Sequence, residues 1–412
     1  MLRKTAFLAL ALLAASCAPR VPQQQQPGAA PEPPKAPAIA FAPASFADLP
    51  GWQGDRLTEA LPAIAASCPR ILAQAGKSGP DGFAVYGRPE EWRPFCDAVA
   101  RLKPADEASL RRLIEAELQP VAVLGDGKAE GLFTGYYEPS LKGSRQRRPG
   151  YDVPLYRLPP DLVQVDLGQF RPEWRGQRTA GRVENGFLRP YDDRTGIEAG
   201  KLAGRGLELA WAADPVAAFF LQIQGSGRIE LAEGGVMRVG FAGQNGHAYT
   251  AIGRVLIERG IMNRDEVSMP ALQAWLKANP AEAPALLREN RAYIFFRELP
   301  APAQAGDGPP GAQGLALKPG RSLAVDRSHV ALGLPLWLAA SYPAAQPPHA
   351  DLPLNRLMVA QDTGGAIRGG VRGDVFWGHG AAAEAIAGRM KHPGRYWFLL
   401  PRSVAARLGN PA

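Results

Sequence analysis

Glycine and proline recur so often along this chain that long uninterrupted helices have little room. The 412 residues include 46 glycines and 40 prolines, and both interrupt regular elements, proline most strongly within helices. Hydrophobic residues make up 46% of the chain, which is enough for a packed core in one large or two medium domains. We therefore predict a mainly β fold of short strands and loops, with helices at its flanks.

Apolar residues recur at helical spacing in only a few places. The helices predicted from this spacing cover about 55–72, 90–102, 105–118, 247–259 and 381–390, and Ser268 is the expected N-cap of one more. Residues 300–320 are rich in proline and glycine and predict a loop.

The first 17 residues have the composition of a bacterial lipoprotein signal peptide. Two basic residues precede an apolar run, residues 6–15, that is far shorter than the roughly 20 residues needed to span a bilayer. Residues 13–17 resemble a lipoprotein cleavage box, in which Cys17 carries the lipid. The alternative is an ordinary secretory signal with an incidental cysteine. Ala18 stands where inner-membrane retention typically has aspartate, so we expect a periplasmic protein anchored to the outer membrane.

The segment that follows has the composition of a tether. Residues 18–47 are rich in proline and contain the glutamine run 23–26. A segment of this kind buries too little apolar surface to fold. We predict that it is disordered and lets a lipid-anchored domain reach away from the membrane.

The number of cysteines, three, is compatible with a protein that is exported to an oxidising compartment. Lipid on Cys17 leaves Cys68 and Cys96, and each of these lies on the apolar face of a predicted helix. Such a pair can form a disulfide in an oxidising compartment, and we expect this one to do so. The alternative is two buried free thiols.

The charge of the chain suits an acidic polymer. The formal net charge is +8, which gives a mildly basic surface. No basic run is interleaved with aromatic residues, so we expect no nucleic-acid partner.

The sequence lacks the residue motifs that most kinds of catalysis require. The five histidines are scattered and no cysteine pair has the spacing of metal ligands, so we expect no metal site. The sequence contains neither a Gly-x-Ser-x-Gly nucleophile motif nor a glycine loop for phosphates or dinucleotides, and we expect no cofactor. Chemistry carried by carboxylates remains.

Two aspartates, Asp362 and Asp374, lie in the glycine-rich segment 360–378. Glycine permits tight turns and the close approach of a ligand to the backbone. Phe376 and Trp377 follow the second aspartate and could stack on a sugar ring, and aromatic surface beside a carboxyl favours its neutral, proton-donating form. The pattern predicts a general acid in a glycan cleft, although either aspartate could instead cap a turn.

Two other carboxylates are weaker candidates. Asp326 could simply pair with Arg327 or cap a turn, and Glu138 follows Tyr136 and Tyr137, which could belong to the core at the end of a strand. Each residue therefore has a structural interpretation beside the functional one.

An alternating pattern at residues 219–227 predicts a buried strand with Gln222, Gln224 and Ser226 on one face. Buried amides are costly without hydrogen-bond partners. We therefore interpret this face as a hydrogen-bonding wall for sugar hydroxyl and acetamido groups.

Four ordered segments carry a family resemblance. They are Leu132-Phe133-Thr134-Gly135-Tyr136-Tyr137-Glu138-Pro139, residues 222–227, Gly243-Gln244-Asn245-Gly246-His247-Ala248-Tyr249, and residues 357–378. Together they resemble the membrane-bound lytic murein transglycosylase A family, from about residue 49 to residue 401. The resemblance implies a double-psi β-barrel catalytic domain formed by residues 48–138 and 300–408. It also implies a second, smaller β-barrel inserted at residues 139–299, with a substrate groove between the two.

The resemblance also implies site residues. The family's domain named for three aspartates is matched by Asp326, Asp362 and Asp374, and its single catalytic aspartate by Asp374. The residues expected to bind substrate are Thr134, Tyr136, Tyr137, Glu138, Gln222, Gln224, Ser226, Asp326 and Asp362.

The activity implied by the resemblance is non-hydrolytic cleavage of peptidoglycan glycan strands. The bond from N-acetylmuramic acid to N-acetylglucosamine breaks and leaves a 1,6-anhydro ring, with Asp374 as acid and then base. Proteins of cell-wall synthesis or division are further partners that such an enzyme could have. Two alternatives stay open: a murein hydrolase with Asp362 or Glu138 as second carboxylate, and a non-catalytic wall-binding barrel similar to expansins.

Overall fold

The structure is a computed structural model that describes residues 39–73, 83–102, 106–174, 177–301 and 306–409. The predicted signal peptide, Cys17 and residues 18–38 of the predicted tether lie outside these ranges. In the described part of the chain, no helix has both the length and the apolar character needed to cross a membrane.

The central sheet contains eight strands, six of which close into a barrel. In chain order they are β1 Ile39–Pro43, β2 Leu118–Gly125, β3 Gly131–Glu138, β13 Ser322–Val325, β14 Pro335–Pro343, β15 Asp351–Asp362, β16 Arg372–His379 and β17 Lys391–Pro401. Their order across the sheet is β1-β2-β17-β14-β15-β13-β16-β3, and the barrel closes because β17 also pairs with β3. Two pairs, β13 with β15 and β16 with β3, are parallel. The closed six-stranded barrel confirms the predicted double-psi β-barrel.

Strand periodicity sorts the side chains of β3 and β16 onto two faces. Phe133 and Val375 are fully buried in the main hydrophobic core. Their neighbours Leu132, Thr134 and Asp374 lie on the other face and are partly exposed. One face of these strands therefore belongs to the core, and the opposite face is open.

Helices from both ends of the chain cover the barrel. They are α1 Leu61–Ala73, α2 Pro89–Arg101, α3 Glu107–Glu117, α9 Ala381–Ala387 and α10 Arg402–Gly409, with 3-10 turns at Phe46–Asp48, Trp52–Gly54, Leu57–Glu59 and Phe83–Tyr86. The helices predicted near 55–72, 90–102, 105–118 and 381–390 are all present. The first α-helix begins later than predicted because residues 57–59 form a 3-10 turn.

A disulfide joins the first two helices. Cys68 on α1 and Cys96 on α2 are bonded, with their Cα atoms 5.4 Å apart, and both are buried in the core. This is the pair that the sequence analysis expected to bridge. The bond ties together helices that pack on the same side of the barrel.

The predicted tether is too long at its C-terminal end. Strand β1 pairs antiparallel with β2, with Ile39 opposite Gly125 and Pro43 opposite Val121. Ile39 and Phe41 pack against the main core. Residues 39–47 are therefore folded, because pairing with β2 and burial of these apolar side chains outweigh the local richness in proline.

The chain between β3 and β13 builds a second sheet. Its strands are β4 Ser140–Ser144, β5 Val153–Tyr156, β9 Glu208–Ala212, β10 Ser226–Leu231, β11 Val236–Gln244 and β12 Ile294–Leu299, in the order β12-β11-β10-β4-β9-β5. A bridge between Arg157 and Phe296 brings the two edges together, which forms the predicted second, smaller barrel.

Smaller elements surround this second barrel. They are a three-stranded sheet of β6 Val163–Asp166, β7 Arg178–Glu184 and β8 Phe187–Pro190, and helices α4 Arg194–Gly196, α5 Pro215–Gln224, α6 Ile252–Glu258, α7 Met269–Ala278 and α8 Ala283–Arg288. A π-helical turn, Ile197–Lys201, continues α4, and 3-10 turns lie at Leu167–Gln169 and Pro172–Trp174.

Ser268 caps α7 as predicted, because its hydroxyl accepts a hydrogen bond from the Ala271 backbone N–H at 3.3 Å. The helix predicted at 247–259 begins only at Ile252.

A buried ion pair connects the two barrels. Glu138, at the end of β3, is 1% exposed. It accepts hydrogen bonds from Nε and Nη2 of Arg238 on β11, at 3.0 and 3.3 Å. Arg228 on β10 lies 3.8 Å away, and Arg238 also donates to the Asp307 carbonyl at 3.3 Å. The end of a barrel strand is thus fixed to two strands of the insert.

We expect the Glu138→Gln variant to lose about 3 kcal/mol or more of its free energy of unfolding, because the change leaves the Arg238 guanidinium buried without a counter-charge. Denaturant unfolding of the two proteins measures the difference. Glu298→Gln is the matched control, since its partner Arg145 and Glu298 itself are roughly half exposed and such pairs contribute at most about 1 kcal/mol. Equal stabilities for the two variants would contradict the role assigned to the buried pair.

Candidate active site

The open face of β3 and β16 carries the candidate acid. The parallel register places Asp374 directly beside Thr134, and the Thr134 hydroxyl donates a hydrogen bond to Oδ1 of Asp374. The Asp374 side chain is 21% exposed. None of the residues that the structure describes makes a hydrogen bond to its Oδ2 atom. One carboxylate oxygen is therefore fixed, and the other is left for a ligand.

Arg372 orients both of these residues. It precedes Asp374 by two positions in β16 and so shares its face. Its guanidinium forms an ion pair with Oδ1 of Asp374 and donates to the Thr134 hydroxyl oxygen at 3.0 Å. It also donates to the Gly373 carbonyl at 2.6 Å. The sequence analysis missed Arg372, and the available signal was the Arg-x-Asp spacing, which places both side chains on one face when the segment is a strand.

A second aspartate lies beside this group. Tyr136, two residues after Thr134 in β3, donates a hydrogen bond from its hydroxyl to Oδ2 of Asp362 at 2.8 Å. The backbone N–H of Ala312 donates to the other oxygen at 2.8 Å. The structure thus brings together four predicted site residues, Thr134, Tyr136, Asp362 and Asp374.

Burial dominates the electrostatics of the Tyr136–Asp362 pair. The pKa of Asp362 is raised, first because burial disfavours the charged carboxylate, and the negative charge of Asp374 adds to this effect. Hydrogen bonds from Tyr136, Thr363 and Ala312 oppose the shift. Burial, followed by the charge of Asp362, raises the pKa of Tyr136 well above its usual value. The tyrosine therefore keeps its proton and acts as a hydrogen-bond donor.

The aromatic pair after Asp374 does not form an open sugar platform. Phe376 is fully buried and packs against the Tyr136 ring with centroids 5.2 Å apart. Trp377 packs on Tyr342 at 4.8 Å, and its indole N–H donates to the Met390 sulfur at 3.4 Å. The expectation that Phe376 stacks on a sugar is wrong, because this ring supports Tyr136 from within the protein.

Asp326 serves the backbone near the site. It is 3% exposed and accepts hydrogen bonds from the hydroxyl and N–H of Ser328 and from the N–H of Gly369, at 2.7, 3.0 and 2.8 Å. Although burial raises its pKa, these hydrogen bonds outweigh burial and leave the pKa below its usual value. We correct its expected role from substrate binding to fixing the loop before β16.

Glu138 and Tyr137 are also removed from the expected substrate contacts. Glu138 is held by Arg238, as described above. Tyr137 is 4% exposed, and its hydroxyl donates to Glu384 at 3.0 Å. Their side chains are buried within the protein, so they cannot contact a glycan in this structure.

The predicted strand at residues 219–227 is wrong for most of its length. Residues Pro215–Gln224 form helix α5, which begins after an Asp214 N-cap with proline in its first turn and ends at left-handed Gly225. These end signals were present in the sequence and favour a helix. The local alternation was misleading because a short helix covered on several sides shows no clear period.

The three polar residues of that segment therefore do not share one face of a strand. Gln222 is buried and accepts a hydrogen bond from Arg194 at 2.7 Å. Gln224 accepts from the Tyr137 backbone N–H at 3.1 Å and so links α5 to β3. Ser226 is buried at the start of β10. The proposed sugar-binding wall is replaced by internal hydrogen bonds.

Family models match most of the folded chain. The family described as MltA specific insert domain matches residues 132–297, and the family described as 3D domain matches residues 321–400. The first range covers β3 and the second barrel, and the second runs from β13 to β17 and contains all three candidate aspartates.

Relatives with similar sequences carry one name. Membrane-bound lytic murein transglycosylase A of Vibrio cholerae is 32% identical over 316 residues, which are 75% of this chain and 76% of that protein. The Escherichia coli K12 protein of the same name is 33% identical over 282 residues, which are 65% of each chain.

Solved structures agree in fold. The membrane-bound lytic murein transglycosylase of Agrobacterium tumefaciens has a TM-score of 0.76 and 33% identity, covering 90% of this chain and 99% of that one. MltA of Neisseria gonorrhoeae has a TM-score of 0.70 and 32% identity, covering 92% and 98%. MltA of Escherichia coli with bound chitohexaose has a TM-score of 0.61 and 26% identity, covering 89% and 95%. The chain belongs to the membrane-bound lytic murein transglycosylase A family.

Proposed function

We propose that this protein cleaves the glycan strands of peptidoglycan without hydrolysis, in cell-wall turnover. The bond broken is the β-1,4 bond from N-acetylmuramic acid to N-acetylglucosamine, and the product is a 1,6-anhydromuramoyl end. The observation that carries the proposal is the Asp374 carboxyl on the open face of the barrel, with one oxygen anchored and the other without a hydrogen bond from any residue that the structure describes. Family membership supports the choice of substrate.

In the first step Asp374, carrying a proton, gives it to the glycosidic oxygen as the bond to C1 of the muramoyl ring breaks. The ring passes through an oxocarbenium-like state, and the N-acetylglucosamine unit leaves with a free 4-hydroxyl. The free Oδ2 atom suits this role, because Oδ1 is already occupied by Thr134 and Arg372.

In the second step the same carboxylate accepts the proton of the muramoyl 6-hydroxyl. The oxygen of that hydroxyl bonds to C1 and closes the anhydro ring. One carboxyl thus acts first as acid and then as base, and no water is consumed. Asp374 ends the cycle with its proton restored.

The Arg372 ion pair favours the second step. A guanidinium beside a carboxylate stabilises negative charge, so Arg372 supports Asp374 after it has given up its proton. The first step requires the proton to be on Asp374 before the glycosidic bond breaks.

The two-carboxylate hydrolase is a weaker reading of the same geometry. It needs a second carboxylate that can activate water. Glu138 is held by Arg238, and both oxygens of Asp362 already accept hydrogen bonds, from Tyr136 and Ala312. We propose that Asp362 and Tyr136 position the acid and the sugar, and that Thr134 orients Asp374.

The cellular location is part of the proposal. We propose that the mature protein is a periplasmic lipoprotein of the outer membrane, anchored through Cys17. The lipoprotein-like ending of the signal sequence supports this, as does the term membrane-bound in the names of its relatives. Proteins of cell-wall synthesis or division are proposed partners on the same grounds of location.

We expect Asp374→Asn to lower turnover by at least about 10²-fold, the usual contribution of a proton-transfer group, while the fold and murein binding persist. Digestion of purified murein followed by mass analysis of the muropeptide ends measures both rate and product. The unmodified protein should release anhydro ends. Reducing ends would establish the hydrolase instead, and the absence of any released product would favour the wall-binding protein.

Asp362→Asn should retain measurable turnover and still form anhydro ends, because the side chain positions the reacting groups and does not transfer the proton. We expect a fall of about tenfold in kcat, with Tyr136→Phe behaving similarly since it removes the same hydrogen bond. Steady-state kinetics on soluble glycan strands compare these variants with Asp374→Asn. If Asp362→Asn is as inactive as Asp374→Asn, the mechanism with a single acid is wrong.

The anchor can be tested by intact mass analysis of protein purified from membranes. We expect the mass of a chain that begins at Cys17 and carries acyl groups, and Cys17→Ser should release the protein from the outer-membrane fraction. Unchanged membrane association of Cys17→Ser, with no acyl mass on the parent protein, would exclude the lipid anchor.

A further inference from the structure

A basic stripe runs along the exposed face of β17, next to the candidate acid. The antiparallel register pairs Lys391 with Thr134, and Pro393 with Leu132. Residues paired across neighbouring strands point to the same face. Lys391 therefore lies in the same row as Thr134 and Asp374, two strand spacings or about 10 Å from the acid.

Arg395 extends this face along the strand. Lys391, Pro393 and Arg395 alternate with side chains on the other face and are all exposed. Farther along, Trp397 and Leu399 continue the same alternation but are buried in the core. The face is thus covered at one end and open from Arg395 to the row of the acid.

The two cations of the stripe have no anionic partner among the residues that the structure describes. Neither Lys391 nor Arg395 forms an ion pair with any other residue in the described ranges. Arg395 only lies over the Trp397 ring, at 6.0 Å. By contrast, Arg372 on the other side of β3 is already paired with Asp374. Two unneutralised positive charges therefore stand on an exposed sheet face beside the site.

The proposed substrate supplies anions at a fixed place. Each N-acetylmuramoyl unit carries a lactyl group whose carboxyl is free or extended by a peptide with carboxylates of its own, whereas N-acetylglucosamine carries no charge. A strand bound along the row of the acid brings these branches within reach of a lysine about one to two sugar rings away.

We propose that the Lys391–Arg395 stripe is a subsite for the carboxylates of the peptide stems of murein. This inference rests on the proposed function, since it takes its ligand from the proposed substrate. The stripe selects strands that carry acidic branches over neutral glycans of the same sugar backbone, and it contributes to affinity, not to proton transfer. Neither side chain touches the reacting atoms.

The test is a binding experiment in the Asp374→Asn background, so that no strand is cleaved. The variants are Lys391→Met, Arg395→Gln and the double variant, with Lys391→Arg as the charge-conserving form. Lys142→Met is the matched control, because Lys142 is another exposed strand lysine without an ion pair in the described structure. The probes are soluble glycan strands with intact peptide stems, and chitohexaose as the neutral oligosaccharide.

Each charge removed should weaken binding of the stem-bearing strands about threefold at low salt, and both together about tenfold, the scale of exposed ion pairs. Chitohexaose should bind all variants equally, Lys391→Arg should bind like the parent, and high salt should remove the differences. The inference is overturned if the double variant binds stem-bearing strands normally, or loses chitohexaose to the same degree. Because only binding is measured, failure here is separate from failure of the proposed reaction, which the end-group analysis decides.

Discussion

Strand β3 is hydrogen-bonded on both sides, to β16 in parallel and to β17 antiparallel, and the rest of the structure depends on this double pairing. It closes the barrel, because without the β3–β17 contact the central sheet would remain open. It also places Thr134 beside Asp374 and Tyr136 beside Phe376. The open face that carries the candidate acid therefore depends on the pairing of β3 with β16.

The same strand carries the connection to the insert. Glu138 ends β3, and only Pro139 separates it from the first insert strand. The buried pair with Arg238 and the contact of Gln224 with the Tyr137 N–H fix this short passage from two directions. We propose that the domain boundaries lie at this passage and between Leu299 and Ser322, where the chain returns to the barrel. A groove between the domains would then have one rigid wall supplied by β3 itself.

The sequence predicted the barrels, most of the helices and the disulfide better than it predicted the residues of the site. The glycine-rich segment led to Asp374 as the candidate acid, which stays a prediction, and the helix patterns identified the two cysteines that are bonded. Local patterns could not tell that Glu138 would meet a buried arginine 100 residues later, or that Asp326 would be used by the backbone of its own loop. Those outcomes depend on contacts between residues distant in the sequence. The local sequence around a carboxylate does not show whether its side chain will be buried in a structural contact or exposed to a ligand.

Two errors of the sequence analysis have different physical origins. The strand predicted for residues 219–227 was inferred from local alternation, and the tether predicted for residues 18–47 was inferred from local composition. In the structure, helix α5 is decided by its capping residues, and β1 by an edge that β2 leaves free for pairing. A tertiary partner overrides weak local preference in β1, whereas the ends of α5 are set by capping signals that are local to the sequence. Arg372 was missed for a related reason, since its importance appears only when strand alternation is combined with the pairing to Thr134.

Because Asp374 lies within a regular strand, the face on which its carboxyl is found depends on the register of that strand. Side chains alternate with a period of two, so a slip of β16 by one residue against its neighbours would turn the Asp374 carboxyl into the apolar core and bring Val375 to the open face. Such a slip would both bury the Asp374 carboxyl and remove it from the open face of the barrel. A barrel in which β16 has slipped by one residue would therefore lack the carboxyl on which the proposed cleavage of peptidoglycan depends.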